Sequence, residues 1–177
     1  MGFGFLNKKG QVSIEFILIL TFGLVYITAF VWPVVEDSSQ AAFDVKAVSD
    51  TKVSALKLAN ALDQAALSSG DMRKSIKIFL PRDSKLECNT TEGSEGIEFS
   101  AFVSTIGGSW NPDQDNCSAI EDPPGTVVGF ECVSKVPILA DAAAELDNGG
   151  GCPMMAGPIF RNLVVEKSGS GTTVSWG

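Results

Sequence analysis

The stretch Lys8–Glu15 (KKGQVSIE) and the apolar run Phe16–Val35 (FILILTFGLVYITAFVWPVV) decide how this chain of 177 residues is organised. The run carries no charged side chain over its 20 residues. A helix of that length is about 30 Å long, which matches the hydrocarbon core of a bilayer. Glu15 stands at the start of the run, and a charged side chain in hydrocarbon costs roughly 2.5–3.5 kcal/mol on insertion scales. The stretch therefore predicts a membrane-compatible helix with one acid that needs a partner or a route to water.

Two ordinary interpretations of this stretch are open. The first is a single-pass membrane anchor, in which Lys8 and Lys9 form the positive cytoplasmic flank and Glu15 reaches the interface. The second is a secretory signal peptide with a loose cleavage site at 39–41 (SQA). The apolar run is longer than the usual ~7–15 residues of such a peptide, which disfavours the second interpretation.

A third interpretation comes from a resemblance. The stretch resembles the class III signal peptide of archaeal type IV pilin precursors, whose pattern is Gln-x-Ser-x-Glu-x-x-x-Leu after basic residues and a glycine. The matching residues are Lys8, Lys9, Gly10, Gln11, Ser13 and Glu15. Ile19 holds the place of the family's Leu, which keeps that position apolar. The resemblance covers about the first 35 residues of the chain.

The resemblance implies a processing step and an assembly route. Residues 1–10 would be a leader, recognised through Lys8, Lys9 and Ser13 and removed after Gly10 by a membrane-embedded aspartyl protease, the prepilin peptidase, on the cytoplasmic face. Residues 11–35 would then serve first as a transmembrane helix and afterwards as the core of an extracellular filament on the cell surface. A cytoplasmic assembly ATPase and a membrane platform would drive that transfer, and the helical homopolymer would serve in adhesion.

Glu15 and Gln11 are the residues that we expect to direct assembly. Cleavage after Gly10 would give Gln11 a free α-amino group, which is positive at neutral pH. The carboxylate of Glu15 in one subunit can then neutralise that amine in a neighbour. Two charges about 4 Å apart attract by about 4 kcal/mol at an effective dielectric of ~20, before desolvation is subtracted. The pair would mainly enforce register, and the resemblance implies the same role.

Composition narrows the classes of function. The net charge is −8, and loss of Lys8 and Lys9 would make it −10, which argues against nucleic-acid binding through phosphate contacts. The chain has no His, so it lacks the commonest general base and the commonest metal ligand. Asp113, Asp115 and Glu121 lack the spacing of an EF-hand. We therefore expect a structural protein with no catalytic residues, cofactor or metal.

The four cysteines, Cys88, Cys117, Cys132 and Cys152, all follow the apolar run. None lies close enough to another for a Cys-x-x-Cys metal or redox motif. An even number of cysteines on the exported side of a membrane predicts two disulfides. Four cysteines allow three pairings, and their spacing does not choose among them.

Residues 36–70 read as an amphipathic helix that continues into the following domain. Its apolar stripe recurs at spacings of three and four, with Lys52 filling one gap, and comprises Ala41, Val45, Val48, Ala55, Ala59, Leu62 and Ala66. Pro33 should kink the helix or loosen a turn before this segment. Ser68, Ser69 and Gly70 predict its end, with Gly70 at the C′ position.

Residues 71–177 read as a β-rich extracellular head. Strands are predicted at 75–80, 97–103, 126–133, 159–166 and 172–176, with a short helix at 139–146. The last two strands should form a hairpin across 168–171. The predicted fold class is α+β, with a long N-terminal helix packed on an antiparallel sheet that disulfides reinforce.

Two sequons and two alternative functions complete the expectations. Asn89 and Asn116 each begin an Asn-x-Thr/Ser motif in a turn-rich stretch, which predicts N-glycosylation. One alternative function is a membrane-anchored extracellular binding protein that never polymerises. The other is a minor pilin or tip adhesin of the same machinery.

Overall fold

The structure is a computed structural model that describes residues 8–90, 95–104, 117–124, 126–149, 152–169 and 171–177. Within those ranges, the side chains of residues 8–13, 128 and 147–149 lie outside the description. The chain divides into two compact units, Met1–Gln40 and Ala41–Gly177.

The first unit is helical throughout its described part. Helix α1 covers Lys8–Tyr26, a π-helical turn covers Ile27–Val31, and helix α2 covers Trp32–Leu67 and continues into the second unit. The Trp32 N–H donates to the Ile27 carbonyl, which is the i→i−5 bond of a π turn. Pro33 follows directly, and its ring would clash with the carbonyl four residues earlier in a regular helix. The irregularity predicted for Pro33 therefore lies in the turn that precedes it.

The second unit combines the end of α2 with two antiparallel sheets and one further helix. The elements after α2 are β1 Met72–Leu80, β2 Ser84–Asn89, β3 Gly96–Val103, β4 Cys117–Glu121, β5 Val127–Pro137, α3 Ala140–Gly149, β6 Met155–Ala156, β7 Ile159–Ser168 and β8 Gly171–Trp176. One sheet has the strand order β1-β7-β8, and the other has the order β4-β5-β3-β2-β6. The predicted α+β class, with a long apolar N-terminal helix and disulfides, is confirmed.

One face of α2 supplies much of the core of the second unit. Its buried residues are Thr51, Ser54, Ala55, Leu58, Ala59, Ala61, Leu62 and Ala65. The small side chains of this face let the helix approach the sheets closely. Every second residue of β1 points inwards, and these inner residues pack in the same core as this face of α2. The predicted stripe is right at Ala55, Ala59 and Leu62. It is wrong at Val45, which is 49% exposed.

The predicted strands all lie within or beside β1, β3, β5, β7 and β8, and the predicted short helix is α3. The predicted C-terminal hairpin is confirmed by the pairing of Val165 with Val174. Strands β2, β4 and β6 were not predicted. In β2 (SKLECN) only Leu86 and the half-buried Cys88 are apolar, and β6 has two residues, so neither offers a clear alternating pattern.

The C-terminus of α2 differs from the prediction. The helix ends at Leu67, and the Ser68 hydroxyl donates to the Ala65 carbonyl at 2.7 Å. Gly70 is not in the left-handed conformation of a glycine C′ cap, so the predicted cap is wrong. A serine hydroxyl satisfies one of the last helical carbonyls instead.

Candidate functional site

The apolar run forms a helical surface that is exposed on every side. All residues from 14 to 40 are exposed, including Phe16 at 64%, Ile19 at 71% and Phe22 at 71%. The helix is long and apolar enough to cross a membrane. A helix that is apolar all round needs lipid or other protein around it. This surface is therefore the first candidate site, and it can anchor the chain in a membrane.

The two threonine hydroxyl groups of the apolar run donate to carbonyls of their own helix. Thr21 Oγ1 donates to the Ile17 carbonyl at 2.7 Å, and Thr28 Oγ1 donates to the Leu24 carbonyl at 2.9 Å. A hydroxyl without a partner is costly in hydrocarbon, so these bonds suit a lipid or a dry protein interface. Thr21 and Thr28 are thus compatible with full burial.

The predicted processing and assembly residues fall on α1. Lys8, Lys9, Gly10, Gln11 and Ser13 belong to its helical backbone, but their side chains lie outside the described part. Glu15 lies on the same helix, and its side chain is exposed. Positions 11 and 15 are four residues apart, so both stand on one face of α1.

The cysteines form two disulfides, as predicted, and the structure selects one of the three pairings. Cys88 at the end of β2 bonds to Cys152, which precedes β6, with a Cα–Cα distance of 5.7 Å. Cys117 and Cys132 bond to each other and stand opposite in the register of β4 and β5. The first disulfide ties the β6 segment to β2, and the second links two neighbouring strands.

The structure describes only one of the two predicted glycosylation positions, which are Asn89 and Asn116. Asn89 is the last residue of β2, and its Nδ2 donates to Glu98 Oε1 at 2.8 Å. The nitrogen that a sugar would modify is thus held by a neighbouring strand. Asn116 lies outside the described residues, as do Asp113 and Asp115 of the acidic loop.

Helix α2 covers the outer edge of β1 through two polar side chains that sequence reasoning missed. The Ser54 hydroxyl donates to the Phe79 carbonyl at 2.6 Å and accepts from the Phe79 N–H at 3.1 Å. Lys57 Nζ donates to the Lys77 carbonyl at 3.4 Å. Residues 77 and 79 point their backbone groups to the same side of the strand. The Lys77 carbonyl and both backbone groups of Phe79, which lie on the edge of β1 away from β7, are thereby bonded by side chains.

Two aspartates of α2 also bind backbone groups of the second unit. Asp44 Oδ2 accepts from both the N–H and the hydroxyl of Ser104, each at 2.9 Å. Asp63 Oδ1 accepts from the Leu139 N–H at 2.9 Å, directly before α3. An acceptor in the position of Asp63 stabilises the N-terminus of α3, where backbone N–H groups lack partners within the helix. Asp44 thus contacts the end of β3, and Asp63 contacts the start of α3.

A buried ion pair joins four elements. Lys167 on β7 is 8% exposed, and its Nζ lies 2.7 Å from Glu145 Oε1 on α3. The same ammonium donates to the carbonyls of Ala66 and Ser68 at the end of α2, at 3.2 and 3.0 Å. Thr172 on β8 donates to Glu145 Oε2 at 2.9 Å. The ammonium of Lys167 and both carboxylate oxygens of Glu145 have hydrogen-bond partners within the protein, so we expect this network to stabilise the fold.

Comparison with known proteins gives no relative. No family model matches the chain, and neither a curated protein nor a solved structure matches it significantly. Among the described residues, no group of three or more His, Cys, Asp or Glu side chains could hold a metal ion. The features of the chain that bear on its function are the apolar surface and the chemistry of the second unit.

A cleft of about 440 Å³ opens on the outer side of the five-stranded sheet. It lies where the β1–β2 turn, β3, β4, β5 and β6 meet. Its principal lining residues are Asp83, Lys85, Phe102, Ile120, Glu131 and Ala156. Sequence reasoning missed this cleft, since strands β2, β4 and β6 were not predicted.

Proposed function

We propose that this chain is the structural subunit of an archaeal type IV pilus-like filament. In this proposal the precursor is cut after Gly10, and residues 11–35 then pass from the membrane into the filament core. The single observation that carries it is the helix from Ile14 to Val35, which exposes apolar side chains around its whole circumference. The Gln-x-Ser-x-Glu pattern at its start supports the choice of a filament over an ordinary anchor.

The energetics of assembly follow from this surface. In the bilayer the helix is surrounded by lipid, which is as apolar as its own side chains. Exchange of lipid for neighbouring helices must therefore be favoured by close packing and specific polar contacts rather than by exclusion of water. The Gln11 amine and the Glu15 carboxylate supply the polar contact in the proposal, and Gly23 offers a position without a side chain where two helices can approach.

The remaining parts of the proposal concern the cellular location of the second unit and the partners of the chain. The second unit would lie outside the cell, where its two disulfides are stable. The prepilin peptidase, an assembly ATPase with its platform, and copies of the same chain would be the partners, and adhesion the purpose. Glycans on Asn89 and Asn116 belong to the same proposal, and mass spectrometry of tryptic peptides tests them.

A membrane-anchored binding protein that does not polymerise is the second candidate, together with a minor pilin or tip adhesin. The observation that favours it is the second unit, which buries its own core and carries an open cleft. For the membrane-anchored protein, lipid alone would cover the apolar helix throughout the life of the protein.

The decisive experiment is N-terminal sequencing of the processed protein combined with electron microscopy of fibres sheared from cells. We expect Gln11 as the first residue and fibres that contain this chain along their length. An intact Met1 with no fibres would support the membrane-anchored alternative. A start near Ala41 would contradict both, because the apolar helix would be lost. Labelling only at fibre ends would indicate a tip adhesin.

A further inference from the structure

The cleft described above has one aromatic wall with a defined support. Phe102 lies on β3 opposite Glu131 of β5, and its ring lies over Gly129. A Cβ added at Gly129 would come within 2.3 Å of the Phe102 ring, so only glycine allows the ring this position. A ring held in this way gives a flat apolar platform, and Ile120 and Ala156 extend the apolar lining.

Two carboxylates flank this platform. Glu131 is held by Ser100, whose hydroxyl donates to Oε1 at 2.9 Å, and by Lys85, whose Nζ lies 3.6 Å from the same oxygen. Among the described residues, Ser100 and Lys85 both contact Glu131 through Oε1, which leaves Oε2 as an acceptor. Asp83 is exposed in the left-handed conformation, with φ 58°, at the turn between β1 and β2.

Lys85 supplies the donor of the cleft. The Lys85–Glu131 pair is open to solvent, with side-chain exposures of 62% and 38%, so it contributes little stability of its own. The ammonium can therefore turn towards a ligand without a large loss. The three charged groups together carry a net charge of −1, which disfavours phosphates and other anions.

We propose that this cleft binds the pyranose ring of a neutral carbohydrate. A pyranose has an apolar face of C–H groups that can stack on an aromatic ring, and a rim of hydroxyl groups. Carboxylates accept bonds from neighbouring hydroxyls, and an ammonium donates to hydroxyl or ring oxygens, which is the polar set that the cleft presents. The volume lies within the range of ~300–1,000 Å³ that small-molecule sites occupy. This site does not depend on filament formation.

The test uses the full chain in a zwitterionic detergent that has no sugar headgroup. Saturation-transfer NMR with the methyl glycosides of glucose, galactose and mannose measures binding in the millimolar range. We expect transfer to the C–H protons of one face of at least one of these sugars. Phe102→Ala should abolish it. Asp83→Asn, which keeps a residue that tolerates the left-handed conformation, should weaken binding at least about tenfold.

The matched control is Phe160→Ala, which removes a phenyl ring that is 73% exposed and lies outside the cleft. It should leave the transfer unchanged. The proposal is overturned if the wild-type chain gives no transfer to any of the three sugars, or if Phe160→Ala abolishes it as Phe102→Ala does. It is also overturned if methyl phosphate displaces the sugar, since the ligand would then be an anion held by Lys85. Because fibres are not needed, failure here leaves the proposed filament function untouched.

Discussion

Lys167 on β7 and Glu145 on α3 form an ion pair of 2.7 Å in a site where both side chains are largely shielded from water, with exposures of 9% and 19%. The ammonium of Lys167 also donates hydrogen bonds to two carbonyl groups at the end of α2. The Lys167 side chain thus supplies hydrogen-bond donors to the C-terminal end of α2 and orients α3 through Glu145. Removal of either charge would leave its partner shielded from water without compensation.

The first prediction concerns this pair. Lys167→Met should lower the free energy of unfolding by about 3–5 kcal/mol, because Glu145 is left as an unpaired charge with little access to water. Lys85→Met, which breaks the exposed pair with Glu131, should cost at most about 1 kcal/mol. Chemical denaturation under oxidising conditions, followed by circular dichroism, measures both. Equal effects of the two variants would show that the Lys167 network contributes no more than a surface pair.

The second prediction concerns the edge of β1. Ser54→Ala removes the hydroxyl that bonds both backbone groups of Phe79, and it should destabilise the protein by about 1–3 kcal/mol, because those groups lose their partner. Ser49→Ala on the exposed side of the same helix should change stability by no more than about 0.5 kcal/mol. Thermal unfolding of the two variants side by side gives the comparison. A Ser54 variant as stable as the Ser49 variant would refute the role of this hydroxyl.

The third prediction concerns the disulfides. The Cys88–Cys152 bond spans a sequence separation of 64 residues, and the Cys117–Cys132 bond spans 15. Loop-closure entropy predicts that they stabilise the fold by about 4 and about 3 kcal/mol respectively. The double variant Cys88→Ser with Cys152→Ser should therefore be the less stable of the two paired replacements. Melting temperatures of the two double variants test this order, and a reversed order would contradict the entropic account.

The fourth prediction concerns assembly. Glu15→Ala should leave membrane insertion intact and abolish fibres, because the amine of Gln11 in a neighbouring subunit would be buried without a countercharge. Glu36→Ala removes an exposed carboxylate just beyond the apolar run and should leave fibres unchanged. Counts of fibres per cell by electron microscopy, with immunoblots of membranes, provide the measurement. Normal fibres from the Glu15 variant would remove the proposed register mechanism.

The fifth prediction concerns the support of Phe102. Gly129→Ala would place a methyl group 2.3 Å from the Phe102 ring and 2.9 Å from the Val103 carbonyl, and we expect a loss of about 1–3 kcal/mol. Gly70→Ala is the control, since nothing lies within 4 Å of its added Cβ. It should be neutral or slightly stabilising, by up to about 1 kcal/mol. Denaturation curves separate the two, and a neutral Gly129 variant would show that the ring can move freely.

The sequence predicted the parts of the fold that periodicity controls. The apolar run, the long helix and the strands with clear alternation, such as β1, follow from spacing alone. The polar docking residues could not be predicted in the same way. Ser54 and Lys167 read as surface residues by type, and only the tertiary arrangement shows that they complete backbone groups of other elements.

The candidate sites likewise have parts that the sequence predicts and parts that depend on the tertiary arrangement. The helical surface and the set of four bonded cysteines were predictable, but the choice of disulfide partners depends on how β2, β4 and β6 align. The cleft depends on the same three strands, two of which are edge strands of five and two residues. Short edge strands carry too few residues for a period to appear.

The bonds from α2 to the edge of β1 bear on how two copies of the chain could pair through their strands. Among the described strands, β1 is the longest one at a sheet edge, with nine residues, whereas the other edges, β8, β4 and β6, have six, five and two. A long bare edge is a template for uncontrolled cross-β stacking between crowded copies. Ser54 and Lys57 bond the edge groups of Lys77 and Phe79, so the C-terminal part of β1 is a poorer template for pairing with a strand of another copy.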